Sequence, residues 1–263
     1  MVRTFVDQLG HSITIPFPPK RIISLVPSQT ELFADIGLEN EVVGITKFCV
    51  HPESWLKTKT IVGGTKNFNF DEIDRLRPDV IFGNKEENFE EGISHLKTKY
   101  PVWMSGIISI KDSLHMILSL GEITNKISES NRLVEDIRNG FEKTSKFSGQ
   151  SFLYLIWRKP WMGTATNTFI HSLLDHLGLQ NILDQQSRYP ELTEAEIHFL
   201  QPDYIFLSSE PYPFREKHIE ELQSISPSSK IILVDGEMFS WYGSRMLKAI
   251  PYFNSLIERV RYT

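Results

Sequence analysis

The chain has 263 residues, a formal net charge of −5 at pH 7 and one cysteine, Cys49. At this length it can form one large domain or two domains of roughly 120 residues, each with its own core. The acidic balance and the absence of a basic run argue against nucleic acid as a partner. One cysteine excludes an internal disulfide, and no apolar run approaches the ~18 residues of a membrane span.

The N-terminal segment predicts an edge β-hairpin over residues 4–16, because weak alternation surrounds a Leu9-Gly10 turn. The same segment lacks the apolar core of a secretion signal. We therefore expect either a cytosolic protein or a trimmed or separately anchored form.

A buried strand is predicted over residues 21–26, followed by a helix that ends at Gly37. Ser28, with Glu31 three residues later, matches the capping-box pattern. The strand–loop–helix turn also leaves peptide N–H groups at the helix start, which suit an anion or a polar ligand. Both interpretations of Ser28, helix cap and ligand contact, stay open.

Further strands are predicted over residues 42–45, 80–82 and 101–104, and residues 61–69 predict one more strand followed by a glycine loop. Alternation of strands with helices is typical of a mostly parallel sheet covered on both faces. Ligands of such sheets bind outside the carboxyl ends of the strands. The glycine loop at residues 63–64 lacks the spacing of a phosphate-binding P-loop.

An internal repeat flanks the middle of the chain. Residues 72–82 (EIDRLRPDVIF) and 196–206 (EIHFLQPDYIF) share seven of eleven positions without a gap. Each copy predicts a short helix, a Pro-Asp turn and a buried strand. The two copies favour two similar lobes, although they also fit two βα units of one larger sheet.

One long surface helix is predicted between the two copies, over residues 122–147. Apolar residues fall on one stripe of a 3.6-residue period, and mixed charges fill the other faces. The stripe consists of Ile123, Ile127, Val134, Ile137 and Phe141. This helix would join the two lobes.

Three loops in the second half, each after a predicted strand, combine aromatic and basic side chains. They carry Trp157, Trp161, Tyr212, Phe214, Trp241 and Tyr242 beside Arg158, Arg215 and Arg245. Large aromatic faces with a few charges suit a bulky planar or macrocyclic ligand with acidic substituents. The alternative is that about half of these rings pack between loop and sheet.

Signals for an enzyme or a metal site are weak. The chain has no G-x-S-x-G or H-E-x-x-H motif. His171 and His176 lie five residues apart, which is wrong for one helical face. His51 and His218 could each be an axial ligand, but a lone surface histidine usually is not. We assign no catalytic residue and no metal ligand.

The first half nevertheless carries a family resemblance, in residues 21–32, at Gly37, at Val43-Gly44 and over residues 76–81. These segments resemble the substrate-binding proteins of ABC importers for metal chelates, the helical-backbone metal receptors. That family includes binders of vitamin B12, haem and ferric siderophores. The similarity extends from about residue 20 to residue 258. The cobalamin binders look most similar, through residues 27–31 and the Phe48-x-x-x-Pro52 loop.

The resemblance implies an α/β fold with two Rossmann-like lobes joined by a single long backbone helix, as in class III periplasmic binding proteins. The lobes would be residues 1–121 and 148–263, with the helix over 122–147. Ligand contacts would lie in an inter-lobe cleft, and the cobalamin binders' aromatic positions in the first lobe are Thr65 and Asn84 here. The ligand would therefore be smaller or more polar than vitamin B12.

The resemblance and the loop chemistry together give one predicted set of ligand-binding residues. This set is Ser28, Phe48, Thr65, Lys66, Asn84, Lys85, Trp157, Arg158, Trp161, Tyr212, Arg215, Trp241 and Tyr242. We expect these side chains to contact the chelator and not to ligate the metal.

The family also docks onto a membrane permease through one acidic residue on each lobe. Those positions fall at Asp71 and at Ala195, and Ala195 departs from the pattern. Its neighbours Glu194 and Glu196, like Glu72 in the first lobe, could substitute on the same short helix.

The leading hypothesis is thus a monomer that captures a metal chelate and hands it to an ABC importer in the periplasm or at the cell surface. A corrinoid comes first, then haem or a ferric siderophore, and no cofactor is bound permanently. Two alternatives remain: a cytosolic chelate-binding protein without a permease, and an α/β enzyme that uses the same cleft.

Overall fold

The structure is a computed structural model, and it describes residues 1–261. Its contacts divide the chain into two compact units. The first unit comprises Met1–Ile107, Lys111–Asn139 and Tyr242–Arg245. The second comprises Ile108–Ile110, Gly140–Trp241 and residues 246–261 of the described chain.

Strands and helices alternate along most of the chain. The elements up to the passage between the units are β1 (Val2–Val6), β2 (Ser12–Pro16), β3 (Ile22–Ser24), α1 (Pro27–Asp35), β4 (Val42–Ile45), α2 (Glu53–Thr58), β5 (Thr60–Ile61), β6 (Gly63–Gly64), β7 (Asn67–Phe68), α3 (Phe70–Leu76), β8 (Val80–Asn84), α4 (Glu90–Lys97), β9 (Val102–Ser105), α5 (Ile110–Thr124) and α6 (Ile127–Lys143). They are followed by β10 (Ser151–Trp157), β11 (Trp161–Gly163), α7 (Phe169–His176), β12 (Gln180–Asn181), β13 (Glu191–Leu192), α8 (Glu194–Leu200), β14 (Tyr204–Ser208), α9 (Glu216–Ile225), β15 (Lys230–Val234), α10 (Gly236–Ser240) and α11 (Arg245–Arg261).

The first unit is built on a five-stranded parallel sheet in the order β5-β4-β3-β8-β9. Its central strands are buried on both faces, as expected of a parallel sheet covered by helices. One core cluster joins the sheet to α3 and α4, with Ile23, Ile81, Ile73 and Leu96 among its members. Two small hairpins, β1-β2 and β6-β7, complete the unit, and the first confirms the predicted N-terminal hairpin.

The second unit is built on a six-stranded mixed sheet. Strands β12, β10, β14 and β15 run parallel, whereas β11 and β13 extend the sheet in antiparallel pairings. Its core cluster includes Leu153, Leu155, Ile197 and Ile205. Both units therefore place the carboxyl ends of several parallel strands at one edge of a sheet, where ligands of such sheets bind.

The internal repeat is confirmed in the fold. Helix α3 and strand β8 in the first unit correspond residue for residue to α8 and β14 in the second. Both helices carry a side-chain N-cap, Asn69 and Thr193. Both end at a residue in the left-handed region, Arg77 with φ 44° and Gln201 with φ 41°. This residue turns the chain before each Pro-Asp pair and starts the strand.

The boundaries predicted for the connecting helix need a correction. Helix α6 begins at Ile127 and ends at Lys143, and residue 122 belongs to the preceding helix α5. Asn125 lies between the two helices with φ 61°, which interrupts the helical backbone. Its position also explains why Ile127, predicted to be on the apolar stripe, is exposed, while Val134, Ile137 and Phe141 are buried.

The chain passes from the first unit to the second within α6, between Asn139 and Gly140. The sequence predicts that the first lobe ends at residue 121 and the second begins at residue 148, and this division stays a proposal. Two short segments depart from it. Residues 108–110 pack with the second unit, and Tyr242–Arg245 packs with the first. Tyr242 and Arg245 were both predicted in the second lobe, because the loop that carries them follows its last strand. Over residues 1–261, no helix combines the length and apolarity needed to cross a membrane.

The helix break at Asn125 can be tested with two substitutions that remove the same amide group. In the left-handed region, a Cβ atom costs roughly 1–2 kcal/mol, and glycine avoids that cost. We expect Asn125→Ala to be less stable than Asn125→Gly by about 1 kcal/mol in urea unfolding. A continuous helix would reverse the order, because alanine is favoured over glycine inside a helix by about 1 kcal/mol.

Candidate functional site

At the carboxyl edge of the first sheet, the loop after β4 presents one exposed aromatic ring. Phe48 is 49% exposed, although phenylalanine is usually buried. The ring lies against Gly64 of β6, where an added Cβ would stand 3.1 Å from it. The Lys47 ammonium lies 5.2 Å from the ring centroid, within reach of a cation–π interaction. Gly64 therefore allows the ring to rest on the β6-β7 hairpin while staying accessible to solvent.

The loop after β8 is held by two asparagines. The Asn84 Oδ1 atom accepts hydrogen bonds from the Glu86 and Glu87 N–H groups at 2.7 and 3.2 Å. The Asn88 Oδ1 atom accepts from the Asn84 N–H at 2.8 Å, and its amide nitrogen donates to the Leu25 and Thr65 carbonyls. Both side chains are buried. Asn84, predicted to contact ligand, is thus occupied in shaping this loop.

The remaining predicted residues of this edge lie closer to solvent. Thr65 is half-buried, and Lys66 and Lys85 are exposed. The Lys66 ammonium donates to the Glu86 carbonyl at 2.7 Å, which connects the hairpin loop to the loop after β8. Lys47, Lys66 and Lys85 therefore give the loops of this edge three exposed positive charges.

Ser28 lies inside helix α1, and the predicted capping box is wrong. The helix begins at Pro27, and the N-cap is Val26 without a side-chain hydrogen bond. Proline is favoured in the first turn of a helix because it needs no N–H partner there. This start moves Ser28 into the first turn, where it is buried. Glu31 instead accepts a hydrogen bond from the Arg245 guanidinium at 2.8 Å, in a pair that is almost fully buried.

Tyr242 packs beside this edge, within the first unit. Its hydroxyl donates to the Glu87 carboxylate at 2.9 Å, and the side chain is buried. Burial and the Glu87 charge both raise the pKa of Tyr242. The phenol therefore stays protonated and acts as a donor. The adjacent Gly243 N–H donates to Ser113 at 3.0 Å.

At the carboxyl edge of the second sheet, Trp157 ends strand β10 and is 41% exposed. Tyr212, in the loop after β14, meets it edge to face with 5.7 Å between ring centroids. Phe214 supports Tyr212 from the buried side at 4.8 Å. Of the aromatic residues predicted here, Trp157 and Tyr212 therefore form a ring pair that remains open to solvent.

His218 fixes the orientation of Tyr212. The Nδ1 atom of this buried histidine accepts a hydrogen bond from the Arg215 N–H at 2.9 Å. Its Nε2 atom lies 3.3 Å from the Tyr212 hydroxyl, so the proton is assigned to Nε2. Burial lowers the pKa of His218 and favours the neutral ring. Because both nitrogens have protein partners, the alternative of an axial metal ligand at His218 loses support.

Two other predicted residues take part in packing. Arg158 forms two hydrogen bonds with Glu221, at 2.8 and 2.5 Å, which raise the pKa of the arginine and neutralise its charge locally. Trp161 is buried and stacks parallel to Phe214 at 6.2 Å. Arg215, by contrast, is exposed. Arg158 and Trp161 thus support the loops that carry Tyr212 and Trp157.

Trp241 is also buried, and its indole N–H has a defined partner. It donates to the Glu210 carboxylate at 3.0 Å, and Ser240 donates to the same oxygen at 2.6 Å. Glu210 lies in the loop after β14, two residues before Tyr212. Burial raises the pKa of Glu210, and the charges of Glu237 and Asp235 add to the effect.

Comparison with known proteins identifies the family. Residues 22–226 match the family model described as periplasmic binding protein. The chain belongs to the periplasmic binding protein family. The matched segment covers most of both units, and the predicted family resemblance and α/β fold class are confirmed.

Three similar proteins illustrate the family. An uncharacterised ABC transporter substrate-binding lipoprotein, YvrC of Bacillus subtilis, is 23% identical over 264 residues, covering 94% of this chain and 82% of YvrC. A vitamin B12-binding protein of Vibrio cholerae is 24% identical over 211 residues, covering 78% and 76% of the two chains. The periplasmic haem-binding protein HutB of Vibrio cholerae shares the fold, with a TM-score of 0.77 at 17% identity over 90% of this chain and 98% of HutB.

The four acidic residues predicted for docking differ in their exposure and in their hydrogen-bond partners. Glu196 accepts hydrogen bonds from the N–H and hydroxyl of Thr193 at 2.7 and 2.8 Å, in a capping box at the start of α8. Glu72 forms an ion pair with Arg75 at 2.6 Å. Asp71 and Glu194 are exposed in the first turns of α3 and α8. On the same helix as Glu194, Phe199 is 88% exposed.

Metal-ligating groups do not converge in the part of the chain that the structure describes. Among residues 1–261, no group of three or more His, Cys, Asp and Glu side chains is placed to hold a metal ion. Cys49 is buried against the hydroxyls of Thr30 and Thr46 at 3.0 and 3.2 Å, and burial raises the pKa of its thiol. The thiol therefore belongs to the core, as the sequence favoured.

Sequence reasoning missed several residues that shape the two edges, among them Gly64, Asn88, Glu87 and Glu210. One signal was available for the last of them. The internal repeat places Glu210 at the position of Glu86, in the loop after the equivalent strand. Asn88 gave no signal, because its bonds to Leu25 and Thr65 join segments that are distant in sequence.

The raised pKa of Glu210 predicts a pH-dependent stability. A carboxyl group whose pKa is higher in the folded state stabilises the fold when protonated, and this contribution is lost as pH rises through the raised pKa. Glu210→Gln keeps an acceptor oxygen without the charge. We expect this variant to have a higher free energy of unfolding than the wild type at pH 7.5, by about 1.4 kcal/mol for each unit by which the pKa is raised. At pH 4 the two free energies should be equal. Both are measured by urea unfolding.

The control for this prediction is Glu194→Gln, which removes an exposed carboxylate from the same unit. It should keep the pH profile of the wild type. A Glu210→Gln variant that is less stable than the wild type at pH 7.5 would contradict the assignment of burial as the dominant effect.

Proposed function

We propose that this periplasmic binding protein captures a metal chelate outside the cytoplasmic membrane and delivers it to an ABC importer. The chelate is transported cargo, with a corrinoid as the first candidate and haem or a ferric siderophore next. Among the relatives, YvrC is named as an ABC transporter substrate-binding lipoprotein and the Vibrio cholerae proteins as binders of vitamin B12 and haem. Binding without catalysis is part of the proposal, because the family consists of binding proteins.

One observation carries the proposal. An exposed aromatic ring stands at the carboxyl edge of each sheet, Phe48 in the first unit and Trp157 in the second. Each ring is supported from behind, Phe48 by Gly64 and Trp157 by Tyr212. Solvent-exposed rings held in fixed orientations suit the flat, largely apolar face of a macrocyclic or aromatic chelate.

The exposed charges at the two edges limit the chemical class of the ligand further. The first edge presents Lys47, Lys66 and Lys85, and the second presents Arg215, all of them exposed. Arg158 contributes less, because Glu221 already neutralises it. Cations beside an aromatic face suit a ligand that carries carboxylate or phosphate substituents. We propose that these side chains contact the chelator and do not ligate its metal.

The proposed ligand contacts are therefore a subset of the residues that the sequence predicts. Phe48, Thr65, Lys66, Lys85, Trp157, Tyr212 and Arg215 reach the surface at the two edges. Ser28, Asn84, Trp161, Trp241 and Tyr242 are buried, and we propose that they hold the loops of the site in place.

Docking onto a permease is proposed through Asp71 on α3 and Glu194 on α8. Both residues are exposed, whereas Glu196 is held by its capping box and Glu72 by Arg75. Glu194 precedes Ala195 in sequence, so it is offered as the acidic group that the family pattern places one position later.

The proposal predicts which aromatic residues contribute to affinity. Phe48→Ala and Trp157→Ala should each weaken binding of the preferred chelate about tenfold, because a stacked ring at a binding site contributes roughly 1–2 kcal/mol. The measurement is isothermal titration calorimetry with cobalamin, haemin and a ferric siderophore, with each variant compared at the same pH and salt concentration.

Phe199→Ala is the matched control. It also removes an exposed phenylalanine, but from α8, which precedes strand β14 and lies away from the carboxyl edge. It should bind like the wild type. The chelate proposal fails if the wild type shows no saturable binding with any of the three ligands at micromolar concentrations.

A further inference from the structure

Two consecutive residues, Trp241 and Tyr242, hold equivalent loops in different units. In the first unit, the Tyr242 hydroxyl donates to Glu87 in the loop after β8, at 2.9 Å. The phenol ring is buried, and its raised pKa keeps the hydroxyl a donor at neutral pH.

In the second unit, the Trp241 indole N–H donates to Glu210 in the loop after β14, at 3.0 Å. The indole is buried, and the carboxylate is also held by Ser240 at 2.6 Å. The loop is fixed further by the Ser209 hydroxyl, which accepts from the Gly236 N–H at 2.9 Å. Trp241 thus ties the start of this loop to the C-terminal end of α10.

The two loops are equivalents in the internal repeat. They follow β8 and β14, which correspond residue for residue, and Glu210 occupies the position of Glu86, one residue before Glu87. Each loop therefore contributes a carboxylate that accepts a hydrogen bond from one member of the pair. One peptide bond separates the two donors.

We propose that Trp241 and Tyr242 are positioning residues that couple these two loops. The backbone between them is short and both side chains are buried, so a displacement of one loop moves its donor and, through the shared peptide bond, the donor of the other loop. A hydrogen bond from a neutral donor to a carboxylate is among the stronger ones in proteins, which makes this connection stiff.

The consequence for binding rests on the proposed function. The loop after β8 carries Lys85, and the loop after β14 carries Tyr212, both of them proposed ligand contacts. A ligand that orders one loop would then order the other at lower cost. Coupling of this kind is reciprocal by thermodynamic necessity.

The test is amide hydrogen exchange on the ligand-free protein, followed by mass spectrometry of peptides covering residues 84–89 and 208–214. Tyr242→Phe removes the hydroxyl and keeps the ring. We expect exchange to become about tenfold faster in 84–89, the effect of losing one hydrogen bond to a charged group, and at least about twofold faster in 208–214. Trp241→Phe should show the reverse pattern, with the larger effect in 208–214.

Tyr100→Phe is the matched control. The Tyr100 hydroxyl donates to the Asp74 carboxylate at 2.7 Å in the first unit, so the substitution removes the same kind of bond elsewhere. It should leave exchange in both loops unchanged. Acceleration confined to each variant's own loop, acceleration in neither loop, or an equal acceleration by Tyr100→Phe would each overturn the coupling. If Trp241→Phe fails to fold, the exchange rate of residues 208–214 in Tyr242→Phe decides whether the two loops are coupled.

A binding experiment separates this inference from the proposed function. With the chelate that binds the wild type, Tyr242→Phe should raise the Kd about threefold or more, while Tyr100→Phe leaves it unchanged. If no chelate binds the wild type, the proposed function fails, and the exchange result still decides the coupling. If a chelate binds and exchange shows no coupling, only the positioning role is lost.

Discussion

Buried peptide groups at the carboxyl edge of the five-stranded sheet need hydrogen-bond partners, and this need organises the first unit. Where the strands end, the ladder no longer pairs their N–H and C=O groups, and leaving such groups unpaired in the interior costs free energy. Asn84 and Asn88 supply the missing bonds to the loop after β8 and to the Leu25 and Thr65 carbonyls. These bonds give the loop after β8 a defined backbone, from which its exposed side chains project.

The same constraint separates residues that support the site from residues that face solvent. Several polar side chains at this edge are buried and hydrogen-bonded to a neighbour. They include Asn84, Asn88, Tyr242 and Gln29, and the Gln29 amide nitrogen donates to Ser105 at 2.7 Å. Aromatic residues divide in a comparable way in the second unit. Trp161 stacks on Phe214 inside the unit, whereas Trp157 ends its strand in solvent. A cluster of aromatic residues in a sequence thus contains both exposed rings that can contact a ligand and buried rings that pack beneath them.

The two copies of the internal repeat share their backbone conformation but differ in their exposed side chains. Helices α3 and α8 share their N-cap position, their left-handed end and the strand that follows. Their exposed residues differ: Arg75 pairs with Glu72 on α3, and the equivalent position on α8 is the exposed Phe199. Backbone geometry depends on caps, turns and buried apolar residues, which tolerate little change. Exposed positions carry no such requirement and can take up separate roles.

Pattern alone determined much of this protein. The hydrophobic periodicity and the glycine and proline positions predict the alternating strands and helices. The seven shared positions of the repeat predict two similar α/β halves. The family resemblance in residues 21–32 and 76–81 pointed to a chelate-binding protein. The signals for individual strands and helices are local, since each depends on residues within one turn or one strand of each other.

Only the tertiary structure decided which predicted residues reach solvent and which unit each of them joins. Tyr242 and Arg245 follow the last strand of the second unit but pack with Glu87 and Glu31 of the first. The capping pattern at Ser28 was overridden because Pro27 starts the helix and Glu31 is drawn into a buried ion pair. Such outcomes depend on partners more than 150 residues away, and local sequence carries no record of them because burial and pairing are properties of the packed chain.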